Sequence, residues 1–175
     1  GEVGGWGGGG GRSLGRRASK RICCMGIYVW GSRRGGRDDA QLYVEISAAM
    51  QTLGHEVLTE HAGLKDLTLL GEQDKTVEFI YGRDMDWLRE SDCVVAEVTS
   101  PSLGVGYEIA QAENLSKQIL CLYRPSSERS LSAMIAGNSR LSIIDYSELN
   151  AANQTTTAFV DKLERATSTR FAPLT

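Results

Sequence analysis

Histidine is nearly missing from this chain: among 175 residues only His55 and His61 occur. The four cysteines, Cys23, Cys24, Cys93 and Cys121, follow none of the spacings that build a zinc site, and two histidines cannot complete one. No metal or other cofactor is expected. Long apolar stretches are also lacking, and without a run of ~18 such residues no transmembrane helix is encoded. Positive charge is scarce where a polyanion would need it. Residues 1–24 carry Arg12, Arg16, Arg17, Lys20 and Arg21 against Glu2, a balance of +4 that leaves −7 on the rest of a chain whose formal charge is −3. Binding to a nucleic-acid polymer draws on counterion release against a basic surface, so an acidic body argues against that partner.

What is present fits one domain with a core of its own, at 41% apolar and 23% charged residues. Residues 1–24 stand apart: nine glycines fall between Gly1 and Gly15 without apolar periodicity, the composition of a disordered tail. The chain begins at Gly, and Met25 directly precedes the first strand-like run, so this tail is either non-native or an upstream extension. Its arginines, serine content and single acid suit an organelle transit peptide, but the amphipathic pattern of one is missing. Cys93 and Cys121 lie inside apolar runs and are expected as small buried hydrophobes in a reducing compartment, cytoplasmic or nuclear. The domain is expected over 25–166, with a C-terminal tail over 167–175.

Five strand-like runs alternate with helical patterns. The first spans 22–30 at its widest, with 26–30 as its core portion, and leads into GSRRGGR (31–37). A helix over 38–53 follows, with Asp38 or Asp39 as N-cap, an apolar stripe of Leu42, Ile46, Ala49, Met50 and Leu53, and Gly54 as its stop. Further strands are expected over 56–59, 93–98, 118–123 and 141–145, and further helices over 75–90, from near Val105, over 131–136 and within 153–166. The segment 60–74 has the look of a loop over a site. Such alternation specifies an α/β fold with a mainly parallel sheet. Five strands favour a flavodoxin-like (Rossmann-like) three-layer arrangement in the order 2-1-3-4-5, with a ligand crevice at the switch point between strands one and three.

Two carboxylates fall on faces that should be apolar. Glu108 shares a helical face with Val105, Ala112 and Leu115, whereas Glu113 is out of phase and solvated. Asp84 sits within the stripe Val77, Ile80, Tyr81, Trp87 and Leu88, while Asp86 points away. Burying an unpaired carboxylate costs at least several kcal/mol by order of magnitude, so each needs a partner or a chemical task. The loop after the first strand lacks the Lys and spacing of a Walker A motif and the full GxGxxG fingerprint. It offers the hydroxyl of Ser32, guanidinium groups from Arg34 with Arg33 or Arg37, and the backbone N–H groups of Gly31, Gly35 and Gly36, which suit a phosphate monoester. Ser102 and the glycines Gly104 and Gly106, placed to let the backbone turn tightly, add a second glycine-bearing loop opposite. A phosphate anchor beside two carboxylates points to chemistry at a sugar carbon.

The segments YVWGSRRGGR (28–37), VLTEH (57–61), RDMDWL (83–88), VVAEVTSPSLGVGYE (94–108), ILCLYRP (119–125) and LSAMI (131–135) resemble the 2′-deoxynucleoside 5′-monophosphate N-hydrolases of the nucleoside 2-deoxyribosyltransferase family, over about residues 26–146. The resemblance implies Glu108 as nucleophile, Asp84 as its companion acid and Tyr28 as an active-site tyrosine. It assigns Ser32, Arg34, Gly36 and Ser102 to the 5′-phosphate and His61 to the pocket near the base. It also implies a homodimer in which Ser132 reaches the phosphate held by the neighbouring subunit. Trp30 stands where this pattern has Cys, Arg33 where it has a small apolar residue, and Gly82-Arg83 where it has Glu-Gln. A retaining route through a glycosyl ester on Glu108 would set Glu108 and Asp84 roughly 5 to 5.5 Å apart, by analogy with retaining glycosidases. A deoxyribosyltransferase, or a nucleotide-binding module without turnover, are the competing readings, and members acting on 5-hydroxymethyl-deoxyuridylate fall within the resemblance.

Overall fold

The computed structural model describes residues 24–31, 37–58, 75–125 and 130–170. Its elements run β1 (Gly26–Gly31), α1 (Arg37–Thr52), β2 (Glu56–Val57), α2 (Val77–Glu90), β3 (Cys93–Glu97), α3 (Leu103–Asn114), β4 (Gln118–Tyr123), α4 (Ala133–Ala136), β5 (Ser142–Asp145) and α5 (Leu149–Arg170). The strands form one sheet in the order β2-β1-β3-β4-β5, every pairing parallel, as the alternation predicts. Because successive strand residues face opposite sides, β1 divides its apolar residues between two cores. Ile27 and Val29 join Leu42, Ile46, Met50 and Val160 under α1 and α5, while Tyr28 and Trp30 join Met85, Leu88, Val105 and Ile109 under α2 and α3. The same alternation puts Cys93 and Cys121 in different cores. Burial drives both thiols up to about 12, for Cys93 with the Asp92 charge adding to it and Lys117 opposing it. Neither is a thiolate at neutral pH, so neither can act as a nucleophile. Among the described residues no helix is long and apolar enough to cross a membrane.

Several local expectations are corrected. Helix α1 starts at Arg37, so Asp38 and Asp39 lie within its first turn and do not cap it. It ends at Thr52, with Gly54 at a φ of +89°, the left-handed conformation glycine adopts without strain. Leu53 lies past that end and is 49% exposed, outside the buried stripe. Helix α3 starts two residues before Val105, with Ser102 as N-cap, and Leu115 closes it at the surface. Strand β2 and helix α4 are shorter than expected, while α5 (Leu149–Arg170) is longer at both ends than the helix expected within 153–166. Glu113 is not a solvated charge: its carboxylate accepts from Asn138 Nδ2 at 3.0 Å and pairs with Arg140 at 3.4 Å.

The stripe of α2 is also narrower than its periodicity suggests. Val77 and Tyr81 are exposed, while Met85 and Leu88 are buried. The helix ends beside the start of β1, where the Asp92 N–H donates to the carbonyl of Gly26 and the Gly26 N–H to Asp92 Oδ2. Fourteen helical residues rise about 20 Å and six strand residues about 17 Å. The N-terminal end of α2 therefore lies near the level of the carboxyl end of β1, where Val77 is exposed.

Candidate active site

Asp84 lies six residues before the end of α2, about 9 Å along its axis, level with the middle of β1. Asp84 thus stands partway down the α2/α3 face of β1 and not at the carboxyl edge. Ring contacts show the same placement. Trp87, three residues after Asp84, has its centroid 6.4 Å from that of Tyr28, and Tyr28 stacks on Trp30 at 4.6 Å. Tyr28 is buried at 3% exposure, and the Asp84 side chain retains 17%. Helix α3 packs beside α2, and the hydroxyls of Tyr81 and Tyr107 meet at 3.3 Å between them. Tyr81 is one turn before Asp84 and Tyr107 directly precedes Glu108. Glu108 is partly buried at the margin of a stripe made by Val105, Ile109 and Ala112.

Ser102 caps α3, its Oγ accepting the Val105 N–H at 3.4 Å. The tight turn assigned to Gly104 and Gly106 is not there: both are helical and neither has a positive φ. A Cβ at Gly106 would meet nothing within 4 Å, and one at Gly104 only Ser102 Oγ at 3.8 Å. What these glycines provide is a bare surface at the start of α3. Ser132 is exposed and precedes α4 without a side-chain capping bond. Gly31 ends β1 opposite Glu97. Ser32, Arg33, Arg34, Gly35, Gly36 and His61, together with the 60–74 segment, lie outside the described residues.

The sequence gives no role to Glu97, and it names Arg83 and Trp87 without the contacts they make. Glu97, at the carboxyl end of the central strand, is 1% exposed, its Oε1 accepting from the Thr99 N–H and the Tyr146 hydroxyl, both at 3.2 Å. Thr99 Oγ1 in turn accepts from the Arg124 N–H at 2.8 Å, so this buried acid ties the loop before α3 to the ends of β4 and β5. An acid inside the buried run Val94 to Val98 was the available signal. Arg83 meets Asp84, and Trp87 meets Tyr28, through contacts that periodicity alone does not specify. A polar cavity of about 300 Å³ lies elsewhere, at the amino end of β4. Its cations are already engaged, Lys117 Nζ with the carbonyls of Arg89 and Ser91 and Arg140 with Glu113.

Residues 27–140 match the family model described as nucleoside 2-deoxyribosyltransferase. The chain belongs to that family. Similar proteins include the 5-hydroxymethyl-dUMP N-hydrolase of Tetraodon nigroviridis, 56% identical over 65% of this chain and 80% of that protein. Those of the same description from Esox lucius and Homo sapiens are 52% and 48% identical, covering 71% and 70% of this chain and 88% and 72% of theirs. Among solved structures, the CMP N-glycosidase of Clostridium botulinum aligns with a TM-score of 0.58 at 17% identity, over 77% of this chain and 98% of that one. A 2-deoxyribosyltransferase of Bacillus psychrosaccharolyticus aligns at 0.52 and 15% identity, over 77% and 95%. These two likenesses concern the fold.

Proposed function

We propose that this member of the family hydrolyses the N-glycosidic bond of 2′-deoxynucleoside 5′-monophosphates, releasing the free base and 2-deoxyribose 5-phosphate. The observation that carries the reading is that α2 and α3, which bear Asp84 and Glu108, pack against each other on the face of the sheet that holds Tyr28. The N-hydrolase relatives near half identity support the substrate class and make 5-hydroxymethyl-dUMP the first substrate to test. Glu108 attacks the anomeric carbon, and the base departs with the bonding electron pair and is protonated from solvent. Water then attacks that carbon as the ester bond to Glu108 breaks, and its proton leaves to solvent, offsetting the one taken up by the base and restoring the Glu108 carboxylate. The Asp84 carboxylate stabilises positive charge on the sugar. The Ser32–Arg34 loop and Ser102 hold the 5′-phosphate, His61 lies near the base, and Tyr28 crowds the 2′ position so that a ribose hydroxyl is refused.

A panel of deoxy- and ribonucleoside monophosphates, scored for free base, tests this reading. Deoxynucleotides should release base at least about 100-fold faster, in line with rejection by a crowded site, and equal turnover of both sugars would remove the role given to Tyr28. The fold is shared with a deoxyribosyltransferase, so the panel is repeated with an acceptor base present. Transfer in place of hydrolysis would favour that second activity.

The same reading takes the protein as a homodimer with Ser132 contributed in trans. Leu103, Met134, Val77 and Phe79, near the starts of α3, α4 and α2, are all more than half exposed at the carboxyl edge, an apolar rim of the kind that a partner covers. Light scattering on the purified chain should return twice the monomer mass, and a strictly monomeric active enzyme would refute the shared site.

A further inference from the structure

Arg83 and Asp84 are consecutive on α2, and consecutive helical residues point about 100° apart, so they do not ordinarily face one another. Here the Arg83 side chain bends across to its neighbour, Nε and Nη2 both 2.9 Å from Asp84 Oδ1. Two rings hold it in that pose. The guanidinium lies 4.7 Å from the Trp87 ring centroid, one turn after it, and 5.9 Å from that of Phe79, one turn before it. Trp87 rests in turn against Tyr28, and Tyr28 against Trp30. The Arg83 and Asp84 side chains are only 12% and 17% exposed, so water and salt screen the pair little.

We propose that Arg83 is a positioning residue which, locked between Phe79 and Trp87, fixes the Asp84 carboxylate for the reacting sugar. The inference rests on the N-hydrolase reading given above. A continuous path then runs from the sheet through Tyr28, Trp87 and Arg83 to Asp84, and the carboxylate keeps its place without depending on its own rotamer. The task needs a planar fork that stacks and donates twice, which a lysine ammonium cannot supply.

The test is a double-mutant cycle in the full chain, using the deoxynucleotide that the parent cleaves fastest. Arg83→Gln should lower kcat roughly 10- to 100-fold with little change in KM, the loss expected when a reacting group is misplaced by about 1 Å. Arg83→Lys should recover little of it. In an Asp84→Asn background Arg83→Gln should cost no more than about 3-fold, since additivity fails for residues that act through one another. Unchanged kcat in Arg83→Gln, full recovery by Arg83→Lys, or an equal loss in the Asp84→Asn background would each overturn the inference while leaving the functional reading intact. A parent that releases no base from any deoxynucleotide would overturn both. Should Arg83→Gln fail to fold, Phe79→Leu, which removes a half-exposed ring, runs the same cycle, and a kcat loss that persists without Asp84 counts against the proposal.

Discussion

Replacing Glu108 by Gln is expected to abolish base release, by at least about 10⁴-fold, while leaving the protein folded and able to bind deoxynucleotide. The substitution keeps the shape of the side chain and an oxygen acceptor but removes the charge and the nucleophilic oxygen pair. Loss of a nucleophile on which every later step depends typically costs about 10⁴- to 10⁶-fold. Glu108 lies at the margin of the buried stripe and not within it, so the melting temperature should move by less than about 3 °C. Equilibrium binding of the monophosphate should persist, because the side chains assigned to the phosphate, Ser32, Arg34 and Ser102, are left in place. Denaturing mass spectrometry of the parent quenched during turnover should reveal a deoxyribosyl phosphate adduct on the α3 peptide, absent from the variant. Residual turnover above a tenth of the parent would exclude Glu108 as nucleophile.

The second large effect is expected at Gly31. A Cβ there would collide with the hydroxyl of Tyr43, come within 2.6 Å of its Cζ and lie 3.0 Å from Glu97 Cβ. Neither neighbour yields easily. Glu97 is fully buried and tied to Thr99 and Tyr146, and the Tyr43 hydroxyl is also buried. Gly31→Ala must therefore displace the Tyr43 ring or the end of β1, with an overpacking cost of about 1 to 3 kcal/mol. A chain of this size should melt roughly 3 to 10 °C lower, and activity should fall because the displaced residue leads directly into the loop assigned to the phosphate. Gly26→Ala is the control, since its Cβ would meet ordinary contacts of 3.5 Å or more. If the two variants melt together, the crowding at Gly31 is not what limits this position.

The comparison of Gly26 with Gly31 shows where sequence reading stops. Both are glycines in one strand, and nothing in their spacing distinguishes them. The difference comes from Tyr43, twelve residues downstream on another element. The same holds for α2. Its periodicity placed Val77, Tyr81, Asp84 and Leu88 on one face, yet burial follows that face only in the C-terminal half of the helix. Glu113 was in the correct phase for solvent and is nonetheless paired, because the turn after α4 delivers Asn138 and Arg140 to it.

By itself the sequence determined the alternation of elements, the parallel sheet and its strand order, because apolar period and glycine punctuation are local and an α/β chain has few ways to cover both faces of a sheet. It also singled out Asp84 and Glu108, since an acid in an apolar phase is visible without coordinates. Only the tertiary structure decided the depth of Asp84, the buried Glu97 latch and the Arg83 brace, because each depends on which residues from distant segments meet. Side-chain direction and the identity of the opposing element are set by packing, and packing is a property of the whole chain.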